Sequence, residues 1–271
     1  MSKYWQKRQL EQRDKAYKKS QKEFDKQLAK YYKTTIKDLE ILITDLYLDI
    51  LNSDGEPTLN ELYKFNRFYK MRQSMNHKLN LLNEFAISQL ITEIDNLYKY
   101  TSKIVIDNLF MNEPNPAQVD TVLKELWDAN TKNWSKNVWC KDGKDIEQRV
   151  AKNMNKLQKT IEKGIVDCVA RGASKDELVK TLVDRFNVSF NEANRLARTE
   201  LTYIQNQATM DSYKKANVEE YEYLSAKDNR TSEMCLEQNG KRYKVSEAIV
   251  GVNYPPLHAN CRCTTIAVVN P

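Results

Sequence analysis

Glycine and proline are scarce in this 271-residue chain, which has six of each, and histidine occurs only twice. Few turn-forming residues beside 43 Lys+Arg and 37 Asp+Glu describe a helix-rich protein with heavily charged faces. Long apolar runs are missing as well, and a membrane-spanning helix would need about 18 or more such residues in succession. The composition therefore predicts helices and excludes a membrane span.

The first residues also lack the apolar stretch of a secretory signal, so we expect synthesis and folding in the cytoplasm. Low mean hydropathy could suggest disorder, but 15 tyrosines and 4 tryptophans argue against it, since disordered chains are poor in aromatic residues. With 271 residues, the chain has enough apolar side chains to bury a core in one large domain or two ordinary ones.

Positive charge is concentrated at the beginning of the chain. Residues 1–33 have a balance of +7, whereas the other 238 residues have a balance of −1. A basic helix of this kind suits nucleic acid, an anionic membrane surface or an acidic protein, although it could equally be a solvated helix face. The candidate contacts with DNA or a partner are Lys3, Lys7, Arg8, Arg13, Lys15, Lys18, Lys19 and Lys22.

Apolar periodicity predicts a mainly α fold with a small C-terminal α+β module that carries a Cys/His cluster. Residues 2–51 and about 59–110 form a long helical hairpin in this interpretation, and the domain boundary falls between residues 113 and 114. The second domain, 114–271, would contain helices at 116–129, 144–171, 175–186 and 190–216, followed by strands at 218–226, 241–245 and 263–269. Asn239-Gly240 is a sequence typical of a two-residue hairpin turn.

Two capping boxes, Ser174 with Glu177 and Ser189 with Glu192, suggest a helix, a turn and a second helix over 175–216. A DNA-reading helix-turn-helix is therefore one alternative. The second helix carries acidic Glu200 beside Arg198, and such a mixed-sign face is poorly suited to phosphate.

Cysteine and histidine cluster near the end of the chain, where Cys235, His258, Cys261 and Cys263 lie within 29 residues. A module with a small hydrophobic core commonly needs a metal ion or a cross-link for stability. Thiolates with an imidazole suit Zn²⁺ in a tetrahedral site. Four protein ligands would leave no position for water, so the site would be structural.

Three alternatives to zinc remain open from the residues alone. The thiols could be buried without metal, two of them could form a disulfide outside a reducing compartment, or Cys261 could act as a nucleophile with His258. A zinc deaminase is disfavoured because no Glu follows the histidine at the required spacing.

Three motifs in order resemble the head-morphogenesis family of tailed bacteriophages, the Mu F-like minor head proteins. They are Ala197-Arg198-Thr199-Glu200, then Asp228-x-Arg230-Thr231 with Cys235 and Gly240, then Pro255-Pro256-x-His258-x-Asn260-Cys261-Arg262-Cys263. The likeness covers roughly residues 165–269. It assigns structural roles to Arg198, Glu200, Asp228, Arg230, Asn260 and Arg262.

The resemblance implies a minor head protein without enzymatic activity, located in the virion head interior and, during assembly, in the host cytoplasm. Its expected partners are the portal protein and the scaffold or major capsid protein, and it could accompany DNA at ejection. The alternative is a DNA-binding protein that uses its basic N-terminal helix to package or protect double-stranded phage DNA.

Overall fold

The computed structural model describes residues 3–52, 56–110, 116–130 and 134–268, and helices dominate it. No described helix is both long and apolar enough to cross a membrane. The predicted mainly α fold with a small C-terminal sheet is confirmed. Its α-helices are α1 (Lys3–Leu51), α2 (Leu59–Tyr63), α3 (Arg67–Leu109), α4 (Pro116–Asn130), α5 (Ile146–Ala170), α6 (Lys175–Lys215) and α7 (Glu233–Gln238).

Two compact units are each assembled from stretches that are distant in sequence. The first unit is formed by residues 1–24, 90–146 and 195–271, and the second by 25–89 and 147–194. The domain boundary predicted between residues 113 and 114 falls outside the described residues.

Helices α1 and α3 run antiparallel, as the predicted hairpin requires. In the second unit, Lys78 of α3 forms an ion pair with Asp38 of α1 at 2.8 Å. Tyr31 of α1 stacks on Phe85 of α3, with ring centroids 4.2 Å apart. Because partners later in α3 meet residues earlier in α1, the two helices must have opposite directions.

The predicted second helix of the hairpin is interrupted near its start, so the prediction of one continuous helix from residue 59 was wrong. A 3₁₀ turn at Lys64–Asn66 contains Phe65 at φ 51°, in the left-handed region. The Arg67 guanidinium stabilises this kink by bonding the Glu61 carboxylate at 2.7 Å and the Asp49 carbonyl at 2.9 Å.

Helix α6 continues without a turn through residues 187–189, so the predicted division into 175–186 and 190–216 was wrong. Ser189, expected to cap a new helix, is buried within α6, and its hydroxyl lies 3.0 Å from that of Tyr32. Phe186 and Phe190 pack edge-on against the same Tyr32 ring. Tertiary packing therefore overrides the capping pattern, and the helix-turn-helix alternative fails with it.

A double-mutant cycle tests this helical environment of Ser189. We expect Ser189→Ala to lower the free energy of unfolding by about 1 kcal/mol, because a buried hydrogen bond to Tyr32 is lost. In a Tyr32→Phe background the same change should be nearly neutral, since its partner is gone. Urea denaturation of the four proteins measures the coupling. A helix cap at Ser189 would instead cost about 1 kcal/mol in both backgrounds.

The C-terminal strands form an antiparallel sheet in the order β2-β1-β3, with β1 at Glu220–Leu224, β2 at Arg242–Lys244 and β3 at Thr264–Val268. In β1, Tyr221 pairs with Tyr243 on one side and with Ala267 on the other. Asn239-Gly240 does not form the predicted two-residue hairpin, because α7 lies between β1 and β2.

Aromatic residues of this module build the core of the first unit. Tyr221 and Tyr254 are fully buried, and their rings meet edge-on at 5.2 Å. They join Met210 and Tyr213 of α6 in one apolar cluster. The sheet is thus fixed on α6, which positions the loops that carry the cysteines.

Candidate functional site

Three cysteines converge in the C-terminal module, as their spacing predicted. Cys235 lies on α7, while Cys261 and Cys263 lie in the segment that leads into β3. Their Sγ atoms lie within 4.8 Å of one another, and the Cys235 and Cys261 sulfurs are 3.9 Å apart. All three side chains are buried and pack with Tyr223 in a small apolar cluster.

Two polar residues of α6 hold the backbone of the cysteine segment. The Thr202 hydroxyl donates to the Cys261 carbonyl at 2.9 Å, and the Asn206 amide donates to the Cys263 carbonyl at 3.1 Å. Both side chains are buried. The sequence reasoning missed this pair, although two polar residues four positions apart share a helix face and could have been noticed among apolar neighbours.

His258 lies at the edge of the cysteine cluster and contacts one of its members. Its Nε2 is 3.3 Å from the Cys235 Sγ and 2.9 Å from the Ser232 hydroxyl, while its Nδ1 is 2.8 Å from the Ala259 carbonyl. In the neutral ring, an Nδ1–H donated to this carbonyl goes with an unprotonated Nε2, which is the form of imidazole that binds metals. The tautomer therefore suits a ligand directed toward Cys235.

Hydrogen bonds among the thiols divide them into two kinds. Bonding to Cys261 lowers the pKa of Cys235 and of Cys263, whereas bonding to those two residues raises the pKa of Cys261. The Tyr223 hydroxyl, whose own pKa is raised by burial, donates to the Cys235 sulfur at 3.5 Å. A lowered pKa makes a thiol easier to ionise, and thiolate is the form that binds metal.

The sulfur spacing fits a tetrahedral metal centre. With Zn–S bonds of about 2.3 Å, two sulfur ligands of one tetrahedral ion lie roughly 3.8 Å apart. The separation of Cys235 and Cys261 agrees with this value, and all three sulfurs fall within reach of a single ion. Cys235, Cys261 and Cys263 can therefore hold a metal, and soft sulfur donors favour Zn²⁺ over Mg²⁺ or Ca²⁺.

Beside the cysteines, Asp228 organises the loop after β1. Its carboxylate accepts two hydrogen bonds from the Arg262 guanidinium, one of them at 2.6 Å through Nη2. The backbone N–H of Arg230 donates to the same carboxylate at 2.9 Å. The Arg262 guanidinium holds the pKa of the Asp228 carboxyl well below its usual range. Asp228 thus bonds the backbone of Arg230 and the side chain of Arg262.

Arg198 and Glu200, from the first family motif, contact different parts of the first unit. The Arg198 carbonyl accepts from the Tyr17 hydroxyl at 3.3 Å, and Glu200 is buried and accepts from the Trp139 indole at 2.8 Å. The next turn of α6 continues this contact, because Tyr203 stacks on Trp139 at 4.5 Å. Both motif residues therefore connect α6 to neighbouring segments.

Asn260, from the last motif, has positive φ, at 60°, and its backbone N–H donates to the Thr199 hydroxyl at 3.1 Å. This bond joins the third motif directly to the first. Together with the ion pair between Asp228 and Arg262, it brings residues of all three motifs into one local structure.

The basic residues of α1 divide into an exposed set and one exception. Helix α1 begins at Lys3, whose side chain lies outside what the structure describes, and among the candidate contacts the exposed side chains are Lys7, Arg8, Lys15, Lys18, Lys19 and Lys22. Arg13 was included among the possible DNA or partner contacts, and that inclusion was wrong because the side chain is only 2% exposed.

Arg13 attaches α1 to the C-terminal strand. Its guanidinium donates to the Thr265 carbonyl at 2.9 Å and also bonds the Thr264 hydroxyl, while its own carbonyl accepts from the Gln205 amide at 2.7 Å. No carboxylate in the described part of the chain forms an ion pair with Arg13. Burial lowers the pKa of Arg13, and the hydroxyl of Tyr213 opposes that shift.

Comparison with known proteins finds one family that residues 159–266 resemble. This segment matches the family described as Phage Mu protein F like protein. The resemblance to the head-morphogenesis family is therefore confirmed over a segment that contains all three motifs.

A curated protein with a different description also shares sequence with the chain. It is the NAD(+)–arginine ADP-ribosyltransferase EFV of Enterococcus faecalis (strain ATCC 700802 / V583), which is 27% identical over 143 residues. The alignment covers 47% of this chain and only 29% of that protein. No solved structure matches the chain.

Proposed function

We propose, from the premise that residues 159–266 belong to the Phage Mu protein F like family, that the chain is a minor structural protein of a tailed-phage head. The family supports a role in head morphogenesis, and capsid-related partners follow from it. The finer role that we propose is at the portal, with contacts to scaffold or major capsid protein, inside the head. Assembly would take place in the host cytoplasm, and the protein could accompany DNA at ejection.

The observation that carries this proposal is the way the family motifs meet. Asn260 bonds Thr199, and Arg262 forms its ion pair with Asp228, so motif residues serve to join segments of the chain. Such an arrangement supports a stable surface for contact with other proteins. The thiol of Cys235 meets the His258 imidazole, but the other ring nitrogen contacts the Ala259 carbonyl, whereas a catalytic triad places a carboxylate or amide side chain there.

Within this role, Zn²⁺ is proposed as a structural ion. Cys235, Cys261 and Cys263 would supply three ligands, and His258 would supply the fourth through Nε2. When bound, the ion would cross-link α7 to the segment before β3. The protein residues hold that segment in place through Thr202 and Asn206, and the buried Tyr223 excludes water from the sulfurs.

We also propose that the chain has no enzymatic activity of its own. The transferase with which it shares sequence is matched over less than a third of its length, so that activity does not carry over. Incubation of the purified chain with NAD⁺ and a poly-arginine acceptor should give no ADP-ribosylated product. Product formation above a heat-treated control would contradict the proposal.

Phage assembly supplies the direct test of the head role. A tagged copy of the chain, expressed during infection, should sediment with purified virions and with DNA-free heads that contain portal and coat proteins. In infections that lack the portal protein, the coat shells should contain much less of it. The proposal fails if the chain stays in the soluble fraction in all three preparations.

The alternative function, DNA binding through α1, is favoured by the exposed basic residues of that helix. A test by deletion of residues 1–33 would also remove buried Arg13, so its result would be ambiguous. Replacement of Lys15, Lys19 and Lys22 by Gln lowers the charge, and we expect the fold to persist because all three side chains are exposed. DNA affinity that falls with this variant and with rising salt would favour this alternative.

A further inference from the structure

A polar cleft lies where the family motifs meet in the first unit. We call it the arginine cleft, and its volume is about 510 Å³. Helix α1, helix α6, the loop after β1 and the segment before β3 all contribute to it. Its lining residues are Tyr17, Gln21, Arg198, Arg230, His258, Ala259, Asn260 and Arg262.

The lining is strongly positive. Three arginines, Arg198, Arg230 and Arg262, contribute to it, and no Asp or Glu is among the lining residues. Asp228, which neutralises part of the charge of Arg262, is bonded to that guanidinium from outside the lining. This excess of positive over negative side chains favours an anionic ligand, because the low-dielectric walls of a cleft strengthen the local electric field.

Two of the arginines are held in position by other side chains. With the Gln21 amide oriented so that its oxygen faces Arg198, that oxygen accepts from Nε at 2.7 Å and from Nη2 at 3.2 Å. Arg262 is held by Asp228 through two nitrogens. Since a guanidinium has five N–H donors, Arg262 keeps donors for a ligand after both bonds are made. The cleft is thus pre-organised before any ligand arrives.

Arg230 differs from the other two in its surroundings. Its backbone N–H is fixed by Asp228, which sets the position of the loop, but its side chain is exposed. Among the residues that the structure describes, none forms a hydrogen bond or ion pair with its guanidinium. A positioned backbone with an available cationic side chain suits a residue that closes on a bound anion.

We propose that the arginine cleft binds a phosphate group, carried either by a free nucleotide or by the backbone of a nucleic acid. The planar guanidinium group of arginine matches the geometry of phosphate oxygens and binds them through paired hydrogen bonds. One carboxylate can neutralise only one of the three converging arginines, so the cleft keeps a net positive charge. The inference depends on the cleft alone, so the head role and this site can each fail without the other.

Isothermal titration of the purified full-length protein tests the site with two probes, ADP and a 12-base-pair DNA duplex. The variants are Arg198→Gln and Arg230→Gln. The matched control is Arg195→Gln, an exposed arginine on α6 that lies outside the cleft lining. We expect about tenfold weaker binding for each cleft variant, because a charge-assisted hydrogen bond is lost, and an unchanged affinity for the control.

The pattern across probes identifies the source of the phosphate. Binding of ADP that is weakened by the cleft variants assigns the site to free nucleotides, and binding of the duplex alone that is weakened by the same variants assigns it to the nucleic-acid backbone. Duplex binding that the cleft variants leave unchanged overturns the proposal. Thermal melting of each variant verifies folding, and Arg230→Gln is the safer variant because its side chain has no described partner. If neither probe binds, or if Arg195→Gln weakens binding as much as Arg230→Gln, the proposal is overturned.

Discussion

Replacement of Arg13 by Ala is expected to lower the free energy of unfolding by about 3 kcal/mol, one of the two largest effects predicted for this chain. The Thr265 carbonyl would lose a charged donor inside the protein, and the deleted side chain would leave a cavity. Removal of a buried cation offsets part of this loss, because its desolvation cost disappears as well. The unfolding midpoint in urea, measured by circular dichroism, gives the value.

Two further variants separate the causes of this loss. Arg13→Met keeps most of the side-chain volume without the donors, so it isolates the contribution of the hydrogen bonds. Lys15→Ala removes an exposed cation two residues away and should change the free energy of unfolding by less than about 0.5 kcal/mol. A wild-type midpoint for Arg13→Ala would mean that α1 is not held by this residue.

Loss of the sulfur ligands should have an effect of similar size. The double variant Cys261→Ser with Cys263→Ser is expected to contain no bound zinc and to lose about 4 kcal/mol of stability at metal concentrations a thousandfold above Kd. The C-terminal module should loosen, while the helices of the second unit stay folded. Elemental analysis of the purified protein measures the metal, and near-ultraviolet circular dichroism reports the tyrosines of the module.

Cys140→Ser provides the matched control, because Cys140 lies outside the sulfur cluster and the change removes one thiol without touching it. His258→Ala refines the result, since it should weaken zinc binding if Nε2 is the fourth ligand. Equal zinc content and an equal melting temperature in wild type and double variant would rule out a structural metal. The thiols would then be buried without one.

Much of the helical content was predictable because α1, α4 and α5 follow apolar periodicity, α1 and α5 end near a glycine, and α4 begins at Pro116. The convergence of three cysteines was also predictable, since C-x-C beside β3 and a third thiol in a thin core suggest one centre. His258 was harder to place. It touches only Cys235 among the sulfurs, and its ring is fixed by the backbone of Ala259, which sequence spacing does not reveal.

The predictions from sequence failed where contacts between residues distant in sequence outweigh local sequence patterns. Ser189 matches a capping box, yet Tyr32 supplies its hydroxyl with a buried partner and the helix continues. Arg13 has the same sequence context as the lysines around it, but it alone meets a strand made 252 residues later. Neither partner could be identified from neighbouring residues.

The contact between Arg13 and Thr265 also sets an order of events during synthesis. The ribosome makes α1 first, but Arg13 has no carbonyl to bond until β3 has been made. The first unit must therefore complete its fold after most of the chain has emerged, and contacts of such long sequence separation slow folding. In a chain that stops before β3, α1 would keep its bonds to α6, but the buried Arg13 guanidinium would lack its carbonyl partner.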